Sequence, residues 1–262
     1  FDKALSAQSE EERTAMLIEG AKREGKVVWY TTTPIDLQSL YRKKFQEKYP
    51  FLELDIYRSS GPNLLVKVMA EEQAKRHYFD VIQAEGVHSV MFTDKGFFAK
   101  YLSPQREYFP KIFKDADGYW TVIQFNLDTI AYNTKLLSPR EVPKTWNDLL
   151  DAKWKDKMGM DPNTYWWFAN MLKIMGEEKG LVFFEKLIKQ NVKLRIGRTL
   201  NAQLVAAGEV SIGITVFNYA IEEMKSRRAN VEWVAFEPAV PEIYSLSISA
   251  NAPRPNAARL FV

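Results

Sequence analysis

The chain has 262 residues, a net charge of +3, 46% hydrophobic and 26% charged residues, and no cysteine. That length and apolar content suffice for one large or two medium domains, and the interleaved Lys, Arg, Asp and Glu form no basic stripe that would point to nucleic acid. Thiol chemistry, disulfides and cysteine-bearing zinc sites are excluded, and no apolar run approaches the roughly 18 residues of a membrane span.

In chain order, "SEEERTAMLIEGAKREG" reads as a helix with a capping box from Ser9 to Glu12, an apolar face at Leu17, Ile18 and Ala21, and a stop at Gly25. "KVVWY" predicts a short buried strand, and Leu37, Leu40, Tyr41 and Phe45 recur at helical spacing. "LELDIYR" is a strand, "SSGPNLLVKVMAEEQAKR" a helix and "FDVIQAE" a third strand. This β-α-β-α-β run implies a parallel sheet with helices on its faces. "GYWTVIQFNLDTIAYNTKLL" reads as strand-rich and antiparallel, and "VPKTWNDLLDAKW" carries a second capping box, Thr145 to Asp148.

The βα rhythm then returns. "KMGM" precedes "DPNTYWWFANMLKIMG", "VKLRI" precedes "GRTLNAQLVAAGE", and "VSIGITV" precedes "FNYAIEEMKSRR". "YSLSISA" is the last strand, and "NAARLFV" opens a helix that reads as running on past Val262. The expected fold class is α/β, with two lobes, each a mixed sheet flanked by helices, and a ligand cleft between them. No signal peptide is visible, so an exported protein is expected here in its mature form.

In open α/β sheets, ligands bind beyond the carboxyl ends of the strands, where helices begin and point free N–H groups outward. Four loops have that placement: Thr31, Thr32 and Thr33; "RSSGP" with Arg58, Ser59, Ser60 and Gly61; "IGRTLN" with Arg198 and Thr199; and "MDPNTYW". Each has a plain structural alternative, because Ser, Thr and Asn cap helices with no ligand present. Arg198 suits a bidentate grip on a carboxylate, phosphonate or phosphate, or equally a salt bridge. Arg58 reads more as a strand-end residue facing solvent. His77 and His88 are expected at the surface, in no metal-ligand spacing. Trp120, Trp146, Trp154, Trp166 and Trp167 suit either a cleft lining or a core, with the core favoured for "YWWF". There is no GxSxG, P-loop, GxGxxG or HExxH motif.

"GKVVWYTT", "FDVIQAE", "VPKTWNDLLDAKWKDKMGM", "LVAAGEVSIGIT" and "APRPNAARLFV", in this order, resemble the solute-binding proteins of bacterial ABC transporters. The likeness is to the ferric-ion-binding group within the two-lobed type II periplasmic-binding fold. It implies lobe closure on a small ligand outside the cytoplasm, in the periplasm or beyond, and delivery to a permease by a monomer. It implies no covalent chemistry, cofactor or nucleic acid. Lobe one is expected to hold residues 1–122 and 238–262, and lobe two residues 123–237. Ferric binders of this group carry adjacent tyrosines after the strand matched by "SIGIT"; here the stretch is Val216, Phe217, Asn218 and Tyr219. The acidic position after the third strand is matched by Glu85.

The expected ligand is therefore a small anion or zwitterion, held by Thr32, Thr33, Ser59, Ser60 and Glu85 from lobe one and by Tyr165, Arg198, Asn218 and Tyr219 from lobe two. The alternative is ferric iron on Glu85 and Tyr219 with a synergistic anion. The competing class is an enzyme on a related two-lobed scaffold, for which Glu85 or Tyr219 are the candidate base or nucleophile.

Overall fold

The computed structural model describes residues 10–262. Ser9 of the first capping box lies outside the described residues. The chain forms two compact units, one of residues up to Gln124 together with Ile243–Val262, the other of Phe125–Glu242.

In the first unit, α1 (Glu10–Glu24) begins with Glu10, Glu11 and Glu12 and ends with Lys22 and Arg23, the polarity that a helix dipole favours. Strands β1 (Lys26–Thr31), β2 (Glu53–Arg58) and β3 (Val81–Glu85) are parallel, in the order β2-β1-β3. Strand β9 (Pro241–Ile248) runs antiparallel beside β3, with Glu85 opposite Tyr244. The crossovers are α2 (Ile35–Lys48) and α3 (Gly61–Gln73), while α4 (Gly86–Asp94) follows β3 and α9 (Pro255–Phe261) ends the chain. Both faces of β1 are buried. Val27 and Trp29 pack with Phe45, Leu52 and Val81; Val28 and Tyr30 pack with Leu64, Val68 and Phe79. Alternation of side chains along a strand makes that division.

In the second unit, β4 (Thr121–Asn133) pairs antiparallel with β7 (Ile212–Phe217) and β8 (Val231–Val234). Strand β5 (Met158–Met160) is parallel to both β7 and β6 (Lys193–Leu194). The helices are α5 (Tyr165–Met175), α6 (Glu177–Ile188), α7 (Arg198–Ala207) and α8 (Asn218–Ser226). The capping box at Thr145 and Asp148 is present and starts a 3-10 turn over Trp146–Leu150. Trp146, Trp154 and Trp167 are core residues, packed with Met158, Met171, Phe183, Ile212 and Ile214.

The structure departs from the sequence reading in a few places. "VKLRI" contributes only Lys193–Leu194 to the sheet, because it is a sheet-edge strand with both residues exposed. Helices α4 and α6 and strand β8 were not among the expected elements, although α6 has Glu177 and Glu178 in its first turn and Lys186 in its last. Within α6, Gly180 lies so close to Leu172 of α5 that a Cβ there would come within 2.7 Å of its side chain. A glycine that weakens the helical signal thus serves helix packing. His88, expected at the surface, is 8% exposed.

Candidate functional site

The first unit brings Thr32, Thr33, Ser59, Ser60 and Glu85 to the carboxyl edge of β1, β2 and β3. Most of the hydroxyl chemistry there is already used. The Thr31 and Thr33 hydroxyls converge on the Gln83 side-chain oxygen, the Thr33 bond being 2.5 Å long. Gln83 is oriented in turn by donating to the Gln124 side-chain oxygen at 3.0 Å. The Thr33 carbonyl accepts from Gln38 Nε2 at 2.7 Å and from Arg58 Nε at 3.1 Å. Arg58 therefore props the loop that follows β1. Thr32 and Ser59 are partly exposed. The Ser60 side chain caps α3 by accepting from the Asn63 N–H, and Pro62 occupies the first turn.

Glu85 lies against the start of α3. A Cβ on Gly61 would come within 1.9 Å of Glu85 Oε1, so only glycine leaves room for this carboxylate at the positive end of the helix. His88 Nδ1 is 3.6 Å from Glu85 Oε2, and burial pushes the imidazole pKa down, which favours the neutral ring. Gly61→Ala is expected to displace the Glu85 side chain and lower stability by about 0.5–1.5 kcal/mol in urea unfolding, the cost of a changed rotamer. A variant as stable as the parent would show that Glu85 swings aside at no cost.

The second unit brings Tyr165, Arg198, Asn218 and Tyr219 to the carboxyl edge of β5, β6 and β7. Each stands in the first turn of its helix. Tyr165 is 49% exposed and Tyr219 39% exposed. Two acids missed in the sequence organise this edge. Asp161 is buried and accepts from the N–H groups of Asn163 at 2.9 Å and Gly197 at 3.0 Å, which fixes the entry to α7. Asp128, on β4 opposite Phe217, is 2% exposed.

Arg198 is held from several sides. Its Nη1 lies 2.7 Å from Glu242 Oε2 and 3.2 Å from Asp128 Oδ1, and its guanidinium carbon sits 4.1 Å from the Phe217 ring centroid. Tyr219 stacks on the same Phe217 ring at 5.7 Å. Burial pushes the Asp128 carboxyl up to about 7, with Arg198 opposing the shift and Glu242 adding to it. Among the described residues, no group of three or more His, Asp or Glu side chains forms a metal site.

The model for bacterial extracellular solute-binding proteins matches residues 79–262. The chain belongs to this family. Such a protein captures a solute outside the cytoplasm and hands it to the permease of an ABC transporter.

An uncharacterized protein of Haemophilus influenzae is 27% identical to this solute-binding protein over 271 residues, covering 95% of this chain and 77% of that one. Among solved structures, iron-bound HitA from Pseudomonas aeruginosa superposes with a TM-score of 0.82 at 19% identity, over 90% of this chain and 79% of that one. AfuA from Actinobacillus pleuropneumoniae, with fructose-6-phosphate bound, gives 0.77 at 24% identity, over 90% and 77% of the two chains. The solute-binding protein therefore has the two-lobed type II periplasmic-binding fold. Its neighbours in fold include both an iron binder and a sugar-phosphate binder.

Proposed function

We propose that this solute-binding protein captures a small zwitterion or anion, without turnover, through its strand-end loops. The observation that carries this reading is the repeated placement of helix starts beyond strand ends: Ser60 and Gly61 at α3, Tyr165 at α5, Arg198 at α7 and Asn218 at α8. Their backbone N–H groups suit the anionic end of a ligand. Thr32, Ser59, Asn218, Tyr165 and Tyr219 supply part-exposed polar groups. Glu85 is the group to meet an ammonium end. Arg198 serves this site as a structural member, because a guanidinium already shared by two carboxylates is a poor partner for a third.

The site chemistry favours an organic ligand over ferric iron. Hard-metal binding needs several oxygen ligands together, and the tyrosine pair of the ferric binders is represented here by Tyr219 alone.

A thermal-shift screen on metal-stripped protein tests the reading. Amino acids, phosphate, phosphonates, sulfonates and carboxylates are compared with ferric citrate and iron-free citrate. A true ligand at about a hundredfold over its dissociation constant adds roughly 2.7 kcal/mol of stability. Stabilisation by an iron-free zwitterion or anion is expected, unchanged after hours of incubation. A shift with ferric citrate alone, with tyrosinate colour, overturns the ligand class; conversion of the ligand overturns the binding role.

A further inference from the structure

The chain passes between its units twice, inside β4 between Gln124 and Phe125 and inside β9 between Glu242 and Ile243. Asp128 lies on β4 just past the first crossing, and Glu242 is the residue immediately before the second. One nitrogen of Arg198 reaches both, at 3.2 and 2.7 Å. The same two strand segments are joined by the Asp128 N–H donating to the Val240 carbonyl at 3.2 Å. Arg198 is the first residue of α7, and the preceding Gly197 N–H is held by Asp161. A single side chain thus fastens both linking strands to the start of a helix at the candidate site.

We propose that Arg198 is a positioning residue, and that with Asp128 and Glu242 it forms a clamp whose charge balance sets the mobility of the two linking strands. This rests on the reading of the chain as a binding protein that opens and closes. Two buried carboxylates share one guanidinium, so with both ionised the cluster carries an uncompensated negative charge. Both Asp128 oxygens lack a hydrogen-bond donor even though the guanidinium is near. The charged groups facing Asp128 are Arg198 from α7 and Glu242 from β9; β7 opposite it presents Phe217, which does not titrate. A proton on Asp128 leaves a balanced Arg198–Glu242 pair and a tight clamp. Loss of that proton, around neutral pH, loosens it.

Hydrogen–deuterium exchange of the full chain without ligand tests the clamp, read on peptides covering residues 125–133 and 238–244. After correction for the intrinsic exchange rate, protection should be roughly tenfold greater at about pH 6 than at about pH 8. Asp128→Asn, close in shape to the protonated acid, should be as protected at pH 8 as the parent is at pH 6. In Glu242→Gln the change should move to lower pH, because Arg198 then serves the Asp128 carboxylate alone. Equal protection of the parent at both pH values overturns the proposal, and so does a pH change that survives in Asp128→Asn. No ligand enters the measurement, so the clamp stands or falls independently of the ligand class.

Discussion

Replacing Arg198 by alanine is expected to destabilise the protein by about 3–5 kcal/mol at pH 8, the cost of stripping the partner from a buried ion pair. The side chain neutralises Glu242 and Asp128, which are 9% and 2% exposed, and it covers one face of Phe217. Truncation leaves two carboxylates near each other with their shared cation gone, and removes the packing of the guanidinium and its stem. A fall in melting temperature of roughly 10 °C corresponds to a loss of this size.

The deficit should narrow as pH falls. Asp128 titrates at about 7 in the folded protein and at about 3.9 when unfolded. A carboxyl raised by folding binds its proton more tightly in the native state. Its contribution is therefore full below the unfolded value and is lost as pH rises through about 7. Near pH 5 Asp128 is neutral with or without Arg198, so only Glu242 is left unpaired in the variant. Calorimetric melting of parent and variant at both pH values checks this. A difference independent of pH removes Asp128 from the account, and a loss under about 1 kcal/mol means that water replaces the guanidinium at the site.

Asp80→Ala is the second large effect, expected to cost about 3–5 kcal/mol and to act in the first unit alone. Asp80 is fully buried and gathers three bonds: from the Val28 N–H at 2.7 Å, from the Arg254 N–H at 2.8 Å and from Arg254 Nε at 2.7 Å. It ties β1 and the residue before β3 to the start of α9, which packs against α1 and β1 through Ala257 and Ala258. Burial raises its carboxyl pKa against the pull of these donors, so Asp80→Asn, which keeps the shape and discards the charge, should be milder than alanine. Urea unfolding with fluorescence detection orders the three proteins. Equal losses for Asn and Ala would mean that the charge on Asp80, rather than its acceptor geometry, carries the effect.

The candidate site was legible as a set of loops and less so as a set of partners. Capping chemistry marked two of the starts: Ser60 and Pro62 open α3, and Thr145 with Asp148 forms the box that begins a 3-10 turn. These are local bonds between residues three apart, so sequence spacing is enough to find them. Glu85 was recognisable from its place after the third strand, but its position against Gly61 depends on which helix start lies beside that strand end. Asp128 stood inside an alternating strand with nothing to distinguish it from a solvent-facing residue. Glu242 follows Pro238 and Pro241 and belongs to no motif of the sequence. Their convergence on Arg198 joins positions 44 and 70 residues apart along the chain, from 242 − 198 and 198 − 128.

The amino-acid sequence by itself determined most of the strands and helices in their order, the α/β class, the loops at the carboxyl strand ends and the family. Apolar periodicity, caps and turn residues act within a few positions, and each keeps its meaning wherever the segment is placed. The tertiary structure alone decided which of these polar groups are engaged within the protein. It buried Thr33 against Gln83, set Arg58 beneath the loop after β1, and committed Arg198 to Asp128 and Glu242. A charged or hydroxyl-bearing side chain is a ligand group or a strut according to what lies within about 3 Å of it, and that distance is set by pairing between strands far apart in the chain.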